Sequence, residues 1–277
     1  MNEQIFRKKF NRFMIIFSKN KLKELAKLKT KKGRKEQKRF LVEGKRFCEE
    51  LFNSSHKAEL ILYTLSFSKS KDGGKLLDDF GKKKVEIVQV KNEDIKKLSD
   101  TVMSQGIVAI AQMKIFSLDE GFLKNKKFVL ALDSIKEPGN SGTILRTADT
   151  AGVDCVFFSK DCVELHNPKV LRSTMGSIFH LPIIEEVNLE NVLPLLKKNG
   201  FKIYAADVKE GKFYDQIDYS SKACLIIGSE SEGISKEILS LADERVRIPI
   251  YGKAESLNAA VACGIILYQM AGNIKDQ

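Results

Sequence analysis

Three short segments carry polar side chains out of apolar surroundings, each beside a turn that glycine or proline shapes. Glu137-Pro-Gly-Asn140-Ser-Gly-Thr-Ile-Leu-Arg146 presents Asn140 and Arg146, and Ile226-Ile-Gly-Ser-Glu230-Ser-Glu-Gly233 presents Glu230. The third, Ile248-Pro-Ile followed by Glu255-Ser-Leu-Asn258, presents Ser256 and Asn258. The set offers a permanent cation, a carboxylate and three short polar groups able to donate or accept hydrogen bonds. Ordinary strand–turn–helix joints explain each glycine, but not why Glu230, Ser256 and Asn258 all follow such joints. Asn140, after Pro138-Gly139, reads as a helix N-cap, and Ser256 reads equally well as the cap of the last helix. Arg146 shares its helix with Ile144, Leu145 and Ala148, as a surface arginine snorkelling from an amphipathic helix also would.

Other site chemistries find little support. Gly228 and Gly233 have phosphate-loop spacing, but Ile234 stands where the lysine belongs, and no GxGxxG fingerprint is present. His56, His166 and His180 are isolated, so no metal site is predicted. Cys48, Cys155, Cys162, Cys224 and Cys263 show no CxxC spacing, and three of them lie in apolar runs. That pattern suits free thiols acting as small core residues in a reducing compartment. The apolar run at 13–17 is shorter than a secretory h-region, and the one at 257–270 is too short and interrupted to span a bilayer. A soluble, cytoplasmic protein without a membrane partner is expected.

Charge is distributed unevenly. The chain carries a net +11, but residues 1–40 alone hold 15 Lys/Arg against 3 Asp/Glu, so the positive field belongs almost wholly to the N-terminal arm. Such an arm suits a polyanion partner, and suits a solvated lysine-rich tail as well.

The elements that must position these residues form two α/β units. In the first, strand-like runs at 39–42, 60–63, 85–90 and 107–112 alternate with helical patterns at 45–52, 75–80 and 92–99. Lys69-Ser-Lys-Asp-Gly-Gly74 reads as a polar, glycine-rich loop. After a break at 116–127, a buried-strand signal at 128–132 opens a second series. Helices at 141–150, 168–177, 236–241 and 257–270 and strands at 155–158, 201–206, 223–227 and 246–250 follow. Such alternation implies a mostly parallel sheet covered on both faces.

In order, spacing and content, the three polar segments resemble the motifs of the SpoU (TrmH-like) branch of the SPOUT methyltransferases, which methylate the ribose 2′-hydroxyl of RNA. Lys27 to Gly44 and Gln105-Gly106-Ile-Val-Ala109 look like parts of the substrate-binding domain that precedes many SpoU catalytic domains. Asn167-Pro-Lys-Val-Leu-Arg172-Ser-Thr-Met-Gly176 also looks family-like. The resemblance implies an α/β chain of four parts: an extension at 1–17, a small ribosomal-protein-like α/β sandwich at 18–116, a linker at 117–127, and a SPOUT domain at 128–277 with a deep C-terminal trefoil knot.

It implies S-adenosylmethionine as cofactor, held by knot loops at Gly228, Ile248 and Leu257, and a catalytic set of Asn140, Arg146, Glu230, Ser256 and Asn258. Glu230 would fix Arg146 or Asn258, and Ser256 and Asn258 would contact cofactor or acceptor. Arg146 would clamp phosphate and stabilise an oxyanion, because arginine stays protonated in proteins, while the proton leaves through phosphate or water. Lys31, Lys32, Arg34, Arg39, Lys169 and Arg172 would touch RNA. The resulting expectation is a 2′-O-methyltransferase of ribosomal RNA. Alternatives are the same chemistry on transfer RNA, or a non-catalytic RNA-binding protein of the same fold. The last helix has no charge between 259 and 268, so it is expected to be buried on all sides, with one face left for the partner in a homodimer.

Overall fold

Leu22, Leu25 and Leu28 fall three residues apart, a spacing that keeps them on one buried face of α1 (Lys19–Ala26) and of the 3-10 turn Lys27–Lys29 that continues it. The structure, a computed structural model, describes residues 18–101, 104–119 and 121–275; the extension expected at 1–17 lies outside them. Two units meet in the chain after Lys114.

The first unit continues through α2 (Lys31–Gln37), β1 (Arg39–Glu43), α3 (Lys45–Asn53), β2 (Ala58–Tyr63), α4 (Leu65–Lys69), α5 (Lys71–Lys82), β3 (Glu86–Gln89), α6 (Asn92–Leu98) and β4 (Ile107–Gln112). Its sheet has the order β1-β4-β2-β3. Strand β4 is antiparallel to both neighbours, and β2 and β3 are parallel. The α1 leucines pack with Ile95 and Leu98 of α6 over Leu60, Leu62, Val88, Val108 and Ile110 of the sheet.

Two sequence expectations are corrected here. The presumed loop at 69–74 is mostly the first turn of α5, because the Ser70 hydroxyl caps the helix by accepting from the Gly73 N–H at 3.1 Å. Gly73 is there for space, since a Cβ would lie 2.1 Å from the Phe67 carbonyl oxygen. Arg34, expected to touch RNA, is only 3% exposed, and its Nη1 donates to the carbonyls of Leu28 and Lys29 at 2.9 Å each. It caps the turn it follows. Arg39 is half-buried and pairs with Glu59 at 2.8 Å, whereas Lys31 and Lys32 are exposed.

The second unit comprises β5 (Phe128–Leu132), α7 (Pro138–Ala151), β6 (Cys155–Ser159), α8 (Pro168–Thr174), β7 (Ile183–Val187), α9 (Leu189–Lys198), β8 (Lys202–Ala206), β9 (Lys212–Phe213), β10 (Ala223–Ile227), α10 (Lys236–Ser240), β11 (Glu244–Arg247) and α11 (Ala259–Lys275). All seven strands are parallel, in the order β7-β6-β5-β10-β8-β11-β9. Strands β5 and β10 are apolar along their whole length and buried on both faces. Helices α9 and α10 contribute Leu189, Leu193, Leu196 and Ile238 to a core with Val129, Phe157, Ile203 and Ile226. Helix α11 packs against α7 and β10.

Several elements of this unit depart from the sequence reading. Strands β7 and β9 and helix α9 have no counterpart in it, and β11 starts two residues and ends three residues earlier than expected. Helix α8 stops at Thr174 because Met175 and Gly176 turn into the left-handed region, at φ 51° and 106°.

All five cysteines are free, and four are buried. Burial pushes the Cys155 thiol up to about 12, and burial raises the other four as well. Among the described residues, no helix is long and apolar enough to cross a membrane, and no group of three or more His, Cys, Asp or Glu could hold a metal ion.

Replacing Arg34 with Met keeps the apolar stem but orphans two buried carbonyls, and is expected to cost about 2–3 kcal/mol. Urea denaturation followed by circular dichroism reads this directly. An unshifted midpoint would show that Arg34 is not a cap.

Candidate active site

Helix α7 begins at Pro138, whose fixed φ and missing N–H suit the first helical position. Its cap is Glu137, whose carboxylate accepts from the Asn140 N–H. The expectation that Asn140 is the N-cap is therefore corrected: the side chain of Asn140 sits in the first turn and is free to point elsewhere. Its Nδ2 donates to Glu230 Oε1 at 2.8 Å, and its Oδ1 accepts from Asn258 Nδ2 at 2.9 Å. Asn258 in turn caps α11, its Oδ1 accepting from the N–H groups of Ala260 at 2.9 Å and Val261 at 3.3 Å. Ser256 does not cap α11. It is exposed, two residues before the cap.

One residue from each polar segment thus joins a single hydrogen-bonded chain. Its polarity follows from the helix: the α11 amides fix the carbonyl end of Asn258, which turns its NH₂ to Asn140 and the NH₂ of Asn140 to Glu230. The final bond is charge-assisted. The sequence signal for the true α7 cap is Pro138, which favours the first helical position and so marks the residue before it as the cap.

Other expected residues surround this chain without joining it. Arg146 lies six residues after Asn140, about 9 Å along α7 and about 120° around it. It is exposed, and among the described residues none bonds its guanidinium. Lys169 and Arg172 are exposed on α8, which crosses α7 at Gly142. A Cβ there would lie 2.4 Å from Ser173 Cβ and 2.6 Å from the Val170 carbonyl oxygen, so only glycine permits this approach.

Gly228 follows β10 and meets a similar limit, 2.2 Å from the backbone of Gly233 and Ile234. The Ser229 and Gly233 backbones pair at 2.9 and 3.0 Å, which leaves Glu230 at the tip of a narrow loop. Ile248 follows β11 and is half-buried, and Leu257 is exposed. Among the described residues, positions 248–257 make no backbone–backbone hydrogen bond, so a run of main-chain donors and acceptors is open to solvent or a ligand. Both loops lie past the carboxyl ends of parallel strands, where open α/β sheets bind ligands.

Comparison with known proteins follows the same division. Residues 127–268 match the SpoU rRNA Methylase family, and residues 19–109 match the MRM3-like substrate binding domain. The chain is similar to the 23S rRNA (guanosine(2553)-2′-O)-methyltransferase RlmP of Bacillus subtilis, at 34% identity over 91% of this chain and 96% of that protein. It is also similar to the mitochondrial rRNA methyltransferase 3 of Mus musculus, at 30% identity over 87% of this chain and 69% of the relative. Among solved structures, an RNA 2′-O ribose methyltransferase superposes with a TM-score of 0.79 at 28% identity, covering 94% of this chain and 98% of its own. An AdoMet-bound rRNA methyltransferase from Sinorhizobium meliloti gives 0.78 at 26% identity, covering 91% and 94%.

The dual role of Asn258 can be separated by substitution. Asn258→Ala removes the cap and is expected to cost about 1 kcal/mol, whereas Asn258→Ser restores a capping oxygen and most of that stability. Denaturation midpoints of the two variants check this. Equal midpoints for Ala and wild type would remove Asn258 from the cap.

Proposed function

The chain belongs to the SpoU rRNA methylase family, and we propose that it methylates a ribose 2′-hydroxyl of ribosomal RNA with S-adenosylmethionine as methyl donor. The observation that carries this reading is the chain of bonds from Asn258 through Asn140 to Glu230, which ties three distant polar segments into one site. Similarity to RlmP and to the mitochondrial enzyme supports ribosomal over transfer RNA.

S-adenosylmethionine supplies an electrophilic methyl carried on a sulfonium. The open main-chain groups of 248–257, with Gly228, Ile248 and Leu257, fit a ligand held mostly through backbone. A knotted path of the C-terminal chain accords with this placement. The work left to the side chains is alignment, worth up to roughly 7–11 kcal/mol in favourable cases. Asn140, Glu230 and Asn258 form the frame, and Ser256 lies beside it to meet cofactor or acceptor. Arg146, without an acceptor among the described residues, takes an RNA phosphate, leaving its charge to stabilise the oxygen as the 2′-hydroxyl loses its proton. The proton passes to phosphate or water, since a guanidinium does not accept it.

RNA contacts fall to the exposed Lys31, Lys32, Lys169 and Arg172, with Arg39 available at the cost of its ion pair to Glu59. Residues 18–116 serve as the substrate-binding part and 128–277 as the catalytic part, joined by 117–127, in a cytoplasmic protein. The surface of α11 supports a homodimer. Cys263, Ile266, Leu267 and Met270 are buried, but Val261 and Tyr268 remain 51% and 56% exposed on the opposite face. Covering that face takes a second copy.

Arg146→Ala is expected to leave cofactor affinity nearly unchanged and to lower methyl transfer at least ~100-fold, the scale of one lost oxyanion donor. Tritiated-methyl transfer into unmodified ribosomal RNA measures this, and a wild-type rate would reduce Arg146 to a surface arginine. Light scattering at micromolar concentration is expected to give the mass of a dimer; a monomer would refute the α11 interface.

A further inference from the structure

We infer that Asp133 is a positioning residue for methyl transfer, because its carboxylate staples the base of the loop whose tip carries Glu230. The inference rests on the reaction proposed above and adds a residue outside the three polar segments. Asp133 comes directly after the buried strand β5 and is only 6% exposed. Its N–H donates to the Ile227 carbonyl at 2.8 Å, extending the β5–β10 ladder by one residue. Its Oδ2 accepts twice from Ser235, from the N–H and from the hydroxyl, each at 2.9 Å. Its Oδ1 accepts from the Ser134 hydroxyl at 3.2 Å. These bonds satisfy a carboxylate that would otherwise be costly to bury.

Ile227 is where the chain leaves β10, and Ser235 is where it enters α10. Asp133 holds both points, so residues 228–234 form a loop closed at its root. The Ser229–Gly233 pairing and the tight packing at Gly228 stiffen its neck. Asp133 also begins the second loop, which runs to Pro138 and delivers Asn140. That loop is held at Ser134, which has φ 58° and donates its N–H to Ser159 Oγ at 2.9 Å. The two loops share one root and meet again at the Asn140–Glu230 bond. Displacing the root shifts the two tips against each other, and near-attack geometry tolerates little of that. The alternative role, a cap on the five-residue α10, predicts lost stability without a change at Asn140.

Full-length Asp133→Ala, Asp133→Asn and Ser235→Ala separate these roles. Each is measured for kcat and for KM toward S-adenosylmethionine, and for the nitrogen-15 NMR signal of the Asn140 side-chain amide, with Glu230→Ala as reference. Asp133→Ala is expected to lower kcat about 100-fold, the scale of a misplacement near 1 Å, and to move the Asn140 signal toward its reference position. Asp133→Asn keeps an acceptor for the Ser235 N–H, so it should recover kcat to within about tenfold of wild type with the Asn140 signal near its native place. Ser235→Ala removes one of the two bonds and should fall between them, which carries the test if Asp133→Ala does not fold. A native Asn140 signal together with wild-type kcat in Ser235→Ala, or in a folded Asp133→Ala, would overturn the inference. Absence of methyl transfer by the wild type refutes the proposed reaction instead, and the NMR signal then still decides whether Asp133 sets the loop.

Discussion

A primary amide has a donor end and an acceptor end, and fixing one fixes the other. Asn258 is fixed by the first turn of α11, whose unsatisfied N–H groups claim its carbonyl oxygen. Its NH₂ is then left for Asn140, and the NH₂ of Asn140 for Glu230. Helix capping, a local need of every helix, therefore sets the hydrogen-bond direction of a site drawn from residues 90 and 118 positions from Asn140. Reversing either amide would set two donors against each other at one end and strand an acceptor at the other.

The sheet makes this meeting possible. Strands β5 and β10 are parallel neighbours at its centre, so the loops after them emerge side by side. The third partner arrives because α11 lies on α7 and on β10. Gly142 has a comparable part on the outer side, where the absence of a side chain lets α8 come close enough to set Lys169 and Arg172 beside α7. Apolar strands supply the rigidity, while the polar groups act at the ends. This accords with strand termini as the usual seats of ligand sites in such sheets.

How much of this was legible in the chain depended on what kind of force placed each residue. Strands β4, β5 and β10 are legible to the residue because their apolar runs are too short for a buried helix and are bounded by polar residues. Strand β7 and helix α9 were missed for the opposite reason: Glu185 and Glu186 break the strand pattern, and Pro194 sits inside a helix of ten residues. Asn140, Glu230 and Asn258 are visible in the sequence as a set, but their bonds are not, because the sequence favours Asn140 as one cap and allows Ser256 as the other, whereas Glu137 and Asn258 hold those places. Pro138 points to Glu137, but glutamate is not among the favoured capping residues, so propensity selects Asn140 instead. Arg34 was read as an RNA contact because its neighbours are cationic. Its burial follows from two carbonyls left open by a 3-10 turn, which charge patterning cannot reveal.

The run of residues 248–257 leads in a different direction. Among the described residues its peptide groups make no backbone pairing, and beside the exposed side chains of Lys253, Glu255 and Ser256 each peptide except that of Pro249 offers the same donor and acceptor. A surface built from peptide groups depends on the path of the backbone more than on residue identity. Substitutions at positions other than Ser256 could accumulate along it while the pattern of donors and acceptors stays constant, provided the bend at Gly252 persists. Divergence in sequence and constancy in the main-chain pattern are then compatible.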